Sequence, residues 1–493
     1  MLLPPSLEEL IGANHPVRVV NDVIDRINIE PLLKLYKPGG TSVYHPRMML
    51  KVLVYGYLSN IFSSRKLEAS IKENIHFMWL SGMSQPDHNT LARFRSDRLK
   101  DALRDIFGQI VMLLVEEGLV NIKNIYTDGT KIEANANKYS FVWRRSITYN
   151  KERIREQLDE LWQYTQQMAK DELAEEVPAD FTEVNAEKVR ETIARIDQAL
   201  DNKVIDKKVR QKLNYARRTW PEKLEEYEQQ QQVMGTRNSC SKTDPEATFM
   251  RMKEDHMLNG QLKPAYNLQI SSSDQFVINY SLHQNPNDTL TLKPHLEAYK
   301  ALYQSVPESI CADAGYGSEE NYEHLQQEGI DNYVKYNYFH KEQSKKWKED
   351  PFRAENLHYD QQGDQLYCPA GNPMENIGVR KTETSSGYTQ TYSQYQAKEC
   401  HQCPLRADCY KAEGNRVVDL NHNLRKHKEQ VRKKLNSPQG LAHRSKRPWD
   451  VETVFASFKH NKGFKRFMLK GLEKVEIEAG LLAIAHNLAK KAA

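Results

Sequence analysis

Three acids far apart in the chain, Asp128, Asp313 and Glu452, stand where chemistry is easiest to arrange. Val120 to Asp128 alternates as a strand would, with Val120, Ile122 and Tyr126 facing one way. Ser309 to Asp313 forms a second short strand pattern. Each aspartate is followed by small residues, Asp-Gly-Thr and Asp-Ala-Gly-Tyr-Gly. A strand end keeps the backbone rigid while the side chain reaches solvent, which is where active sites form in mixed sheets. Glu452 lies near the start of the last helical region, in Trp449-Asp-Val-Glu-Thr-Val-Phe-Ala-Ser-Phe-Lys459.

Three such carboxylates suit in-line cleavage of a phosphodiester. That reaction uses two divalent ions, one to activate the attacking oxygen and one to stabilise the leaving oxygen. Mg²⁺, or Mn²⁺ in its place, takes hard oxygen ligands. Lys459 is two helical turns beyond Glu452, on the same face, and can contact a phosphate. The plainer reading also fits each acid alone. An aspartate after a strand serves a turn or a cap, and a glutamate near a helix start is favoured by the helix dipole.

The elements that must position these acids alternate in type. Residues 1–118 are predicted helical, with apolar spacing at Val19, Val23, Ile24 and Ile27, a buried helix over Met48 to Ile61, and Asp87 and Asn89 as caps before Leu91 to Val115. This region is a candidate DNA-binding domain through Arg93, Arg95 and Arg98, a solvated basic face being the alternative. Residues 119–144 form the first part of an α/β core. Residues 145–240 are rich in Glu, Lys, Gln and Arg and read as a long helical hairpin that lacks a core of its own. Residues 241–340 return to the core with strands at Ala265 to Ile270 and Gln275 to Leu282, a helix after Asp288, a helix from Ser318 and a strand near Asn332 to Lys335. Residues 341–440 are a small cysteine-rich insertion, and residues 441–493 are C-terminal helices carrying the third acid.

Within the insertion, Cys368, Cys400, Cys403 and Cys409 can form a structural Zn²⁺ site, with reduced unpaired thiols as the alternative. Around Glu452 the chain is strongly basic, and Arg447, Lys459, Lys462, Lys465 and Arg466 are candidate contacts to a polyanion.

The whole chain has 493 residues, 39% hydrophobic and 28% charged, and a net charge of +4. It is long enough for two or three domains with a real core. No apolar run approaches the length of a membrane span, and Met1 to Leu10 lacks the pattern of a secretory signal. A cytoplasmic protein without membrane partners, its cysteines reduced, is expected.

Longer segments carry a resemblance. Tyr126-Thr-Asp-Gly-Thr-Lys-Ile-Glu-Ala-Asn-Ala-Asn-Lys-Tyr139 resembles the first catalytic segment of DDE-type insertion-sequence transposases with a retroviral-integrase-like core. Ala312-Asp-Ala-Gly-Tyr-Gly317 resembles their second segment. Val451-Glu-Thr-Val-Phe-Ala-Ser-Phe-Lys-His-Asn-Lys-Gly-Phe-Lys-Arg466 resembles the third, with Gly471-Leu-Glu-Lys-Val475 and His486-Asn-Leu488 continuing it. Met48 to Tyr57, Ser63 to Arg65 and Pro86 to Arg95 resemble the helical domain of such enzymes.

The resemblance implies an RNase H-like mixed sheet flanked by helices, with Asp128, Asp313 and Glu452 as ligands of two Mg²⁺ or Mn²⁺ ions. It implies cleavage of double-stranded DNA at element ends and strand transfer into target DNA, by a homodimer on DNA in a bacterial cytoplasm. A nuclease of the same core and a catalytically inactive DNA-binding regulator are the alternatives. Related transposases show Tyr-x2-Arg-x3-Glu-x6-Lys at the third acid. Glu452 and Lys459 fit this pattern. Arg447 lies one position too far upstream, no Tyr precedes it at that spacing, and Ala456 replaces the usual Gly.

Overall fold

A computed structural model describes residues 5–36, 44–169, 181, 183–201, 203–252 and 260–493. The chain divides into two compact units. The first comprises residues 1–130, 267–465 and 473–493, and the second residues 131–266 and 466–472.

The first unit opens with helices. Pro16 and Pro46 begin two of them, Pro16–Arg26 and Pro46–Leu58, at the position where a missing N–H costs nothing. Asp87 caps His88–Arg93 by accepting from the Thr90 N–H at 2.6 Å. The single helix expected over Leu91 to Val115 is broken. A π-helical turn, Phe94–Arg98, intervenes before Leu103–Glu116. This turn carries Arg95 inward. Arg95 donates to the Phe62 carbonyl at 2.7 Å and the Tyr57 hydroxyl at 3.3 Å, and lies 3.9 Å from Glu478 of the final helix, Leu472–Ala492.

The central sheet orders its strands as Phe276–His283, Leu262–Ser273, Asn124–Glu133, Ser309–Ala312 and Asp331–Asn332. The first two are antiparallel, and the last two run parallel to the Asp128 strand and to each other. Two of the strands run on into the second unit. The antiparallel pair turns through Asp274 and Gln275, both in the left-handed region at φ 50° and 65°. The buried carboxylate of Asp450 accepts the N–H of both, at 2.8 and 3.1 Å. Asn487 of the final helix accepts from the N–H of Val277 and donates to its carbonyl, each at 2.8 Å, so the helix completes the bonding of an edge strand.

The cysteine-rich insertion holds an unexpected five-stranded antiparallel sheet, ordered Val417–Leu420, Thr389–Gln396, Pro373–Glu383, Gln365–Tyr367 and Tyr359–Asp360. Its core is small, built on Leu366, Met374, Tyr395 and Val418. Polar residues occupy most positions on both faces of its strands, so no apolar alternation announces them.

The second unit corrects the hairpin expected at residues 145–240. Three helices form there, Arg144–Met168, Ala186–Leu200 and Lys207–Met234. They enclose a core of their own around Leu158, Trp162, Val189, Ile196, Trp220 and Leu224. Each helix has one apolar stripe, and three stripes close on one another where two would leave a side open. The strand Thr248–Arg251 pairs antiparallel with the start of Leu262–Ser273 in the same unit.

Candidate active site

Asp313 follows its strand directly, as expected, whereas Asp128 lies in mid-strand because that strand continues to Glu133. Thr127 pairs with Ala312 in the parallel register. The next positions are Asp128 and Asp313, so both leave the same face of strands about 4.8 Å apart. Asp313 Oδ1 accepts from the Gly315 N–H at 2.8 Å and caps the 3₁₀ turn Ala314–Tyr316. Asp128 Oδ1 accepts from the Gly129 N–H, also at 2.8 Å.

Glu452 ends a π-helical turn, Pro448–Glu452, which Arg447 precedes. In an α-helix residues four apart share a face, whereas a π turn needs five. The offset of Arg447 in the sequence is therefore absorbed by the backbone. Its guanidinium donates to Asp128 Oδ2 at 2.9 Å and to Glu452 Oε1 at 3.5 Å. Burial opposes the charge on Arg447, yet the fields of Asp128, Asp313, Cys311 and Glu452 outweigh it and hold the guanidinium above its usual range. All three expected acids thus act on one buried arginine.

A fourth acid joins them. Asp288 Oδ1 accepts from the amides of Asn267 at 2.7 Å and Gln269 at 3.0 Å. A Cβ on Gly129 would lie 2.3 Å from Gln269 Nε2 and 2.8 Å from Asp288 Oδ1, and one on Gly315 would lie 3.6 Å from Asp288 Oδ2. The two glycines after the catalytic candidates are therefore needed for close approach of Asp288. The buried Tyr316 hydroxyl donates to Gln269 Oε1. Burial first, then Asp288, Asp128 and Asp313, raise its pKa well above the usual value. In the sequence Asp288 reads only as a helix start; the amides of Asn267 and Gln269, inside a strand that is otherwise apolar there, are the signal that could have found it.

The donor chemistry of Asp128, Asp313 and Glu452 fits a hard divalent cation. Among the described residues, however, no group of three or more His, Cys, Asp or Glu is gathered so as to hold a metal ion. At the acids the positive group between the carboxylates is Arg447. At the cysteines the same finding corrects the zinc expectation. Arg416 donates through its backbone N–H to Cys400 Sγ at 3.4 Å and through its guanidinium to Cys409 Sγ at 3.0 Å, while Cys368 and Cys400 pack against the small apolar core of the insertion. Two of the sulfurs thus face an arginine.

The basic candidates separate by burial. Arg95 is buried in its pairing with Glu478 and Tyr57, and Lys462 is buried with its ammonium donating to the Leu58 carbonyl at 3.2 Å. Neither can meet DNA, a correction that follows from their inward direction. Arg93 and Lys465 are exposed. Arg98 is exposed but donates to the Leu35 carbonyl at 2.8 Å and lies over the Tyr36 ring. Lys459 is half-buried. In the second unit, Arg466 is exposed and donates to the carbonyls of Ala134 and Ala136.

Two family models match the chain. Residues 367–492, which include Arg447 and Glu452, match the Transposase DDE domain. Residues 5–97 match the Transposase domain (DUF772). The chain belongs to the DDE-type insertion-sequence transposases. No curated protein and no solved structure matches it. DDE transposases are nucleotidyl-transfer enzymes that act on DNA and generally depend on a divalent metal. In this transposase Asp128 and Asp313 fall outside both matched segments. Among its described residues no helix is long and apolar enough to cross a membrane.

Proposed function

We propose that this transposase cleaves DNA strands at the ends of an insertion element and joins the freed 3′ ends to target DNA, with Asp128, Asp313 and Glu452 as the metal-holding acids. The observation that carries the reading is Arg447, buried, bonded to Asp128 and Glu452 and within the field of Asp313. The strand order supports it as well. An antiparallel hairpin, the Asp128 strand and two strands parallel to that strand follow the plan of an RNase H-like core.

Two Mg²⁺ or Mn²⁺ ions, when bound, would activate the attacking oxygen and stabilise the leaving one. The chain's own residues prepare the place. The sheet fixes the two aspartates side by side, Asp450 anchors the π turn that carries Glu452, and Arg447 holds two carboxylates of like charge together. Asp288, with the amides of Asn267 and Gln269, closes the floor beneath the aspartates. Lys459 contacts a phosphate of the bound DNA, and Arg93, Lys465 and Arg466 supply further phosphate contacts. Two DNA ends must be processed together, so the active form is at least a dimer on DNA.

The test is Mn²⁺-dependent cutting and joining on paired element ends by the wild type and by Asp128→Asn. Loss of both reactions with DNA binding retained is expected. Cutting that survives in Asp128→Asn would overturn the assignment of the acids.

A further inference from the structure

Beyond Asp313 lies a surface that the carboxylates do not require. Ala314, Lys335, Asn337, Tyr338 and Lys341 line a cleft of about 480 Å³. A second cleft of about 500 Å³ shares Tyr338 and Lys341 and adds Lys346, Trp347, Arg353 and Glu355. Both are within the size range of small-ligand sites.

Tyr338 stands where they meet. Its backbone is left-handed at φ 71°, and its side chain is 56% exposed. A bulky residue in that region is strained, and such strain concentrates at functional positions. The Tyr338 ring lies 5.2 Å from that of Trp347, Lys341 Nζ lies 5.5 Å from the Tyr338 ring, and Arg353 Cζ lies 3.6 Å from the Trp347 ring.

The charge around these rings is unevenly paired. Arg353 is bound to Asp350 and Lys345 to Glu349. Lys335, Lys341, Lys346 and Lys348 have no acidic partner among the described residues. Burial and the neighbouring Arg447 and Arg444 lower the pKa of Lys335, which marks a positive field at the end of the cleft adjoining Asp313. Exposed ring faces beside free cations match one ligand chemistry well: a base that stacks and a phosphate that pairs. The outside of a duplex offers phosphates alone and would leave the ring of Tyr338 without use.

We propose that Tyr338 and Trp347, with Lys335, Lys341 and Lys346, bind an unpaired nucleotide of DNA beside Asp313; only its place in the reaction rests on the assignment of the acids. The site would hold a nucleotide out of the helix next to the strand being cut, and the cost of unpairing would be offset by stacking.

The experiment measures binding of a fluorescent single-stranded deoxythymidine oligomer to the full chain, in chelator and without divalent metal. A blunt duplex of the same length is measured beside it. Tyr338→Ala is expected to weaken single-strand binding by roughly tenfold, Tyr338→Phe to retain it, and duplex binding to stay unchanged in both variants. Unchanged duplex binding also reports that the variants are folded. Undiminished single-strand binding by Tyr338→Ala, or an equal loss on both DNAs, would overturn the proposal. No cutting is measured, so failure of the acid assignment, read from Asp128→Asn, is distinguishable from failure here.

Discussion

The guanidinium of Arg447 stands 2.9 Å from Asp128 and 3.5 Å from Glu452, five residues before the second of them. With a side-chain exposure of 7%, it is a buried counter-charge. Removing one partner of a buried ion pair costs about 3 kcal/mol or more, because the remaining charge is left unpaired. Arg447→Ala should therefore lower the urea midpoint substantially. Added Mg²⁺ or Mn²⁺ should restore more stability to Arg447→Ala than to the wild type, since a cation can then take the vacated counter-charge role. Equal midpoints for the two proteins without metal would sink this account.

Gly129 tests the closeness of the fourth acid. Its Cβ substituent would press on Gln269 Nε2 and Asp288 Oδ1. Gly129→Ala should destabilise by about 1–3 kcal/mol, the usual cost of overpacking. It should also lower cutting more than DNA binding, because the displaced groups lie under the aspartates. A variant as stable and as active as the wild type would show that the floor beneath Asp128 is soft.

Asp288→Asn keeps the shape but turns an acceptor toward two amide donors into a mixed group. Asn267 Nδ2 and Gln269 Nε2 both donate to Asp288 Oδ1. A net loss of about 1–3 kcal/mol is expected if one buried donor is left unmet. Thermal unfolding reads the loss directly. No change would mean that the amides find other acceptors.

Lys462 makes stability depend on alkaline pH. Burial pushes its pKa from 10.5 down to about 8. Between those values the unfolded chain binds the proton and the folded chain does not, so stability rises with pH through that window. At about 1.4 kcal/mol per unit the full rise is about 3 kcal/mol. Below pH 8 the buried charge is a standing cost. Lys462→Met should thus be more stable than the wild type near neutral pH, less the bond to the Leu58 carbonyl, and should flatten the slope between pH 8 and 10.5. Parallel pH profiles for the two proteins would refute it.

The core strands and the helices around Asp313 were legible because apolar periodicity and caps such as Ser318 are local signals. Asp128 was found although its strand runs on past it, since a polar residue in a strand looks like the strand's end when pairing is unseen. The Arg447 relationship was not legible in spacing, because spacing assumes an α turn and the backbone here makes a π turn. Arg95 was misread for a similar reason. A cation on a helix looks solvated until a partner nearly 400 positions away, Glu478, is brought against it. The three-helix core of the second unit was hidden by its heavily charged outer faces, and the small sheet of the insertion by polar residues at nearly every position.

The final helix has a consequence for how the molecule is made. Its residues from Ile477 to Leu488 are almost wholly buried, and Asn487 supplies both hydrogen bonds at Val277. Glu478 is the acid that meets Arg95. During synthesis these residues emerge last, after the strands and helices they complete. Until release from the ribosome, the strand Phe276–His283 keeps an open edge and the N-terminal helices keep a buried cation without its acid. A transposase halted a few residues short of its end would therefore be an aggregation-prone intermediate, so that quality control can remove incomplete copies before they reach DNA.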